Sequence, residues 1–208
     1  TTTMPQPAYN ELLLQRDGNR YRWELLANSN LTLQHLDTNE VLKTVRLGIE
    51  CGRLPEDTGT DIPAILGKFG LLKDGVLNNA AAVLFGKHED MEYPQCLLRL
   101  ARFKGTDKTV FMDSQRIQGN FFQLLNAAMA FIFKHLSLSG TTDTLEREEH
   151  LTIPYKAIRE GVLNSLTHRS YKEAGGSVGI AIYDDRVEIE NPGTFPPEWD
   201  AEKMKSEH

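Results

Sequence analysis

Glu160, Asn164 and His168 recur at every fourth position of one helix-forming stretch. That spacing lines up a carboxylate, an amide and an imidazole on a single helix face. Ala157 and Gly161 share the face, and their small size leaves room for a ligand to approach the backbone. Tyr155, Ile158, Val162, Ser165 and Leu166 fall on the other side, predicting an apolar face that docks on a sheet. A carboxylate so placed can orient or deprotonate water, and an amide oxygen one turn away can ligate a hard cation. The plain alternative is a solvated helix face, which periodicity alone favours. Two features speak against it. The row lacks the Lys–Glu pairs of an ordinary exposed face, and a glycine inside a helix costs about 1 kcal/mol relative to alanine.

The elements that must hold this row are legible nearby. Pro154 suits the first position of a helix running to about His168, because its missing N–H would be unsatisfied there anyway. Val178, Ile180 and Ile182 alternate, as do Val187 and Ile189. With Asp184-Asp185 between them they predict an antiparallel hairpin, closed after its second strand by Asn191-Pro192-Gly193. Asp184-Asp185 reads better as a turn than as a metal pair, since Asp tolerates turn geometry. Gly175-Gly176 precedes a strand rather than a helix N-terminus, so it reads as a connector and not as a phosphate loop.

Upstream, the sequence predicts a short helix near Glu11–Arg16 and a strand at Tyr21–Leu26. Asp37 caps a helix reaching Gly52, and a second helix over Ile62–Phe69 ends at Gly70. Asp74-Gly75 is a turn. Ala80–Phe85 is expected to begin as a helical turn and end as a buried strand. Leu97–Phe103 and Thr109–Met112 read as strands, Asn120–Leu136 as the clearest upstream helix, and Gly140–Asp143 as a polar loop.

The composition sets limits. The chain has 208 residues, 40% apolar and 25% charged, which is ordinary for a globular protein. The longest nearly unbroken apolar run, Ala127 to Phe133, is far below the ~20 residues that span a bilayer. No membrane partner is expected. Cys51 and Cys96 fit free thiols in a reducing, cytoplasmic setting. The net charge of −6 divides evenly, −3 on residues 1–150 and −3 on 151–208, so neither part offers the basic footprint that nucleic acid requires. No G-x-x-x-x-G-K-[ST] occurs, which excludes a P-loop helicase motor in this chain. His35, His88, His135 and His150 show no ligand spacing.

The run from Ile158 to Tyr171, with Val178–Tyr183, Asp184–Ile189 and Asn191-Pro192-Gly193, resembles a bacterial family described as transcriptional regulators or RecG-related "ATP-dependent DNA helicases". Members join a Schlafen/AlbA-like N-terminal DNA-binding domain to a divergent GHKL-type ATPase domain. The segments Leu66–Gly75 and Asn79–Gly86 resemble the piece linking the two. The resemblance implies ATP and Mg2+ as cofactors. It makes Glu160 the general base, Asn164 the Mg2+ ligand, and Asn191 with Gly193 the adenine end. His168 and Arg169 match a His-Arg-Asp-Tyr run, where a phosphate contact and a structural tie are both open. Asn191 stands where the class uses Asp, Phe195 where a second glycine is common, and Ser170 where the family has Asp.

The expectation is therefore an α+β fold with helices on a mainly antiparallel sheet. Residues 1–58 form a linker and helical segment and 59–150 an α+β linking region. Residues 151–208 form the start of a GHKL-like sandwich whose ATP lid lies beyond His208, the chain being read as a piece of a longer protein. The leading function is an ATP-binding regulatory module, inactive or weakly active as an ATPase in this piece alone. DNA would be bound through domains outside the chain, with a homodimer left open. The rival is a scaffold or dimerisation domain that has lost the nucleotide.

Overall fold

A computed structural model describes residues 22–87, 89, 93–136, 138–141, 148–151 and 153–193, with backbone only at 138–141 and 148–151. The helix expected at Glu11–Arg16 lies outside them, as does Phe195. The chain divides into two compact units between Asp90 and Met91, so the 59–150 segment is shared by both.

In the first unit, α1 (Thr38–Glu50) starts where Asp37 Oδ1 accepts from Asn39 N at 3.0 Å and Glu40 N at 3.1 Å, satisfying amides the helix itself leaves unpaired. Val41 and Val45 form its buried face. α2 (Ile62–Lys68) carries Asp61 as its cap and Gly70 at φ +70 just beyond its end, the left-handed stop its sequence predicts. The Asp74-Gly75 turn joins two short antiparallel strands, β1 (Leu72–Lys73) and β2 (Val76–Leu77). Two expectations fail here. Residues Trp23–Leu25 form a 3-10 turn instead of a strand, held by Asn79 Nδ2 donating to Trp23 O at 2.9 Å. Ala80–Phe85 is wholly helical, within α3 (Asn79–Phe85). Alanine-rich sequence favours helix, and the Asn78 side chain accepts from Ala81 N at 3.1 Å to start it.

The second unit is built on a four-stranded sheet whose strands, in spatial order, are 111–118, 97–103, 178–182 and 187–190. β3 (Leu97–Phe103) pairs antiparallel with β4 (Phe111–Gln118) and parallel with β7 (Val178–Ile182), which pairs antiparallel with β8 (Val187–Glu190). A parallel pair needs a long crossover. It is supplied here by α4 (Phe121–His135), the two-stranded β5 (Leu138–Thr141) and β6 (Glu148–Leu151), and α5 (Tyr155–Thr167). Residues 138–141 are thus strand, although Gly140 was expected in a loop. β4 begins later and runs further than expected, because Thr109 sits in a turn whose amide donates to Asp107 Oδ1 at 3.0 Å. Its polar run from Asp113 hides a strand with no fully buried residue, of which Ile117 packs partly against the core.

Both long helices lie on one face of the sheet. Leu98, Leu100, Val178, Ile180 and Ile182 meet Leu124, Leu125, Ala128 and Ile132 of α4 and Ile158, Val162 and Leu166 of α5 in one buried cluster. Each of the Leu, Ile and Val side chains contributes about 1.5–3 kcal/mol by leaving water. The architecture is α+β, a helical layer on a mainly antiparallel sheet, as expected. Among the described residues no helix is long and apolar enough to cross a membrane.

Candidate functional site

Pro154 serves as the N-cap of α5 rather than its first residue, and the helix ends at Thr167 with His168 as C-cap. Ile158, Val162, Ser165 and Leu166 are buried on the sheet side. Tyr155 departs from the expected apolar face. It is 48% exposed and stacks on Phe133 at 5.5 Å between ring centroids. Glu160, Asn164 and His168 are all exposed, so the row looks outward from the layer.

Two close approaches fix the row against the hairpin. A Cβ built on Gly161 would meet Ile189 Cδ1 of β8 at 3.2 Å, so the glycine that is poor for the helix lets α5 settle on the edge strand. A Cβ built on Gly193 would lie 2.9 Å from His168 O and 3.3 Å from Asn191 Nδ2. Backbone rather than a flexible side chain closes that slot. Ser170 N donates to Pro192 O across the same junction. The Asn191-Pro192-Gly193 bend therefore abuts the C-terminal end of the polar row.

Arg169 turns inward. It is 5% exposed and donates through Nη1 to Gln95 O, before β3, and through Nη2 to Gly176 O at 2.9 Å. Its guanidinium lies 4.9 Å from the centre of the Tyr171 ring. Tyr171 Oη donates to Leu166 O at 2.8 Å, and Gln95 Nε2 donates to Tyr171 O at 3.3 Å. Gly176 in turn lies under Pro192, whose Cγ a Cβ would meet at 2.6 Å. The end of α5, the entry to β3, the connector and the bend are thus one knot centred on Arg169. Of the two roles open from sequence, these contacts support the tie. Burial pulls the Arg169 guanidinium below its ordinary pKa. Burial also pushes the neighbouring Cys96 thiol up to about 12, against the opposing pull of Arg169, so Cys96 is a neutral packing group.

Sequence reasoning missed Gln95, Gly176 and Tyr171 as members of the knot. Gln95 lies 74 residues from Arg169, and no local pattern reports a contact at that separation. Asp184 is a turn residue, as read. It accepts from the Arg102 guanidinium and, at 2.7 Å, from Gly105 N, and these hydrogen bonds, Arg102 first, hold its carboxyl below the usual range. Among the described residues no group of three or more His, Cys, Asp or Glu could hold a metal ion. Neither of two cavities is lined by a residue of the polar row. One is on the open face of the four-stranded sheet and the other is bordered by residues such as Leu31, Pro63 and Leu77 of the first unit.

Comparisons with known proteins bear on the same end of the chain. A family model described as "Putative ATP-dependent DNA helicase recG C-terminal" matches residues 175–208, the stretch that contains β7, β8 and the bend. The C-terminal stretch is thus similar to an ATPase-like domain of RecG-like proteins. No curated protein matches the chain. The crystal structure of the DIP2311 protein from Corynebacterium diphtheriae shares the fold, with a TM-score of 0.67 at 14% identity over 97% of this chain. This chain spans 39% of the length of that one.

Proposed function

We propose that α5 and the 191–193 bend form the metal- and base-facing edge of a GHKL-type nucleotide site, within a regulatory module of a RecG-related protein. One observation carries the reading. The polar row and the bend are separate in sequence, yet the slot between His168 O and Gly193 is too narrow for a Cβ. The bend is thus held against the C-terminal end of the row that carries Glu160 and Asn164.

The residues fit the groups implied. The Asn164 amide oxygen is a hard donor suited to Mg2+, which keeps most of its waters and takes few protein ligands. Glu160, one turn earlier, would orient water at a phosphate. At the other end, the Asn191 amide can accept from an adenine amino group, and Gly193 lets the backbone come close. Bound Mg2+ would offset phosphate charge. The protein's share is to orient the ligand and hold water at Glu160. DNA contact would come from elsewhere, since the charge of this chain offers no basic footprint.

Titration calorimetry of the protein with ATP tests this. Saturable, Mg2+-dependent binding is expected, weakened at least about 10-fold by Asn164→Ala, which removes a metal ligand. The second reading, a scaffold that kept the fold and lost the nucleotide, is favoured by Asn191 in place of the class Asp and by Phe195 in place of glycine. Absence of heat at millimolar ATP would select it.

A further inference from the structure

The sheet face opposite the helices carries a groove of about 350 Å3. Its floor is small: Ala101 on β3 pairs with Ala181 on β7, and Gly179 on β7 pairs with Arg99 on β3. Arg99 also stands directly across from Arg116 on β4. Both arginines are exposed and line the groove. Like charges directly opposite on neighbouring strands destabilise a sheet, so the fold alone gains nothing from the pair.

The acids across the groove do not relieve it. Glu188 accepts from Arg186 Nε at 2.7 Å, and Glu190 lies 4.0 Å from Lys108 Nζ. Among the described residues neither the Arg99 nor the Arg116 side chain has an ion pair or hydrogen bond. One end of the groove is closed by Phe103 and Phe111, with ring centroids 4.5 Å apart. The groove thus combines two uncompensated guanidinium forks, a flat apolar floor and an aromatic wall, at the lower end of small-molecule site volumes.

We propose that this face binds a small organic anion, a carboxylate or phosphate monoester on a flat apolar body. Arg99 and Arg116 take the anion in fork geometry, and the Ala101–Gly179–Ala181 floor takes the body. The site is on the other side of the sheet from α5 and is independent of the nucleotide reading.

The test is a titration of the whole protein, followed by amide NMR, with phenyl phosphate, benzoate and the neutral benzamide. One or both anions should bind saturably with shifts at Gly179 and Ala181, and the stronger of the two identifies the anion class. Benzamide should produce no such shifts. Arg116→Gln and Arg99→Gln should each weaken anion binding at least about 10-fold, while Asn164→Ala leaves it unchanged. Arg116→Gln should melt at or above the wild-type temperature, because it relieves a like-charge pair. Equal binding of benzamide, anion binding indifferent to both arginine variants, no saturable anion binding, or a lowered melting temperature in Arg116→Gln would each overturn the proposal.

Discussion

Arg169→Ala is expected to lower the stability of the second unit by about 2–5 kcal/mol. The substitution leaves two carbonyls, Gln95 O and Gly176 O, without the donor they have now. An unsatisfied buried polar group costs about 1–3 kcal/mol, and loss of the packed guanidinium over Tyr171 adds to it. Arg169→Lys should recover only part, since an ammonium is a point charge and cannot span two carbonyls as the planar fork does. Urea unfolding followed by circular dichroism measures both variants. A loss below about 0.5 kcal/mol for Arg169→Ala would mean that the knot does not hold α5, the connector and the bend together. A ligand-facing arginine would behave oppositely. Its removal would weaken nucleotide binding and leave the unfolding midpoint in place.

Gly193→Ala is the second large effect expected. The added methyl would sit 2.9 Å from His168 O and 3.3 Å from Asn191 Nδ2. The first neighbour is backbone, so relief requires the bend to move away from the end of α5. Overpacking of this kind costs about 1–3 kcal/mol. On the proposed nucleotide reading the displaced bend also loses its place in the site, so nucleotide affinity should fall by more than the stability loss explains. Gly161→Ala is the matched control. Its Cβ meets the far end of a flexible side chain, Ile189 Cδ1, at 3.2 Å, and the helix gains from alanine. Melting curves and calorimetry on the two variants separate the effects. If Gly193→Ala binds nucleotide as the wild type does, the bend has no part in the site.

Much of this was legible in the sequence because the signals are local. The α5 row, the 178–190 hairpin and the Asp37 cap follow from spacing and side-chain type within a few residues. The helix expected over Asn120–Leu136 runs from Phe121 to His135, and Asn120 is its cap rather than its first residue, accepting from Gln123 N at 3.0 Å. The failures have two physical sources. β4 is an edge strand with no fully buried residue, so it carries no clean apolar alternation to read. Pairings such as Arg169 with Gln95, or Arg99 with Arg116, depend on sheet order. The parallel joining of β3 to β7 across 74 residues of intervening chain cannot be inferred from either strand alone. The role of Arg169 illustrates the point. The motif marks the residue, and only the fold shows that its side chain turns inward.

The central claim is that Asn164 and the 191–193 bend face one nucleotide. Its most direct test replaces Mg2+ by paramagnetic Mn2+ and records amide NMR spectra of the protein with ATP. Selective, ATP-dependent broadening at Asn164 and its helical neighbours, together with ATP-dependent shifts at Asn191 and Gly193, is the predicted result. Broadening or shifts confined to the Arg99–Arg116 face, or none at either the helix or the bend, would contradict the account.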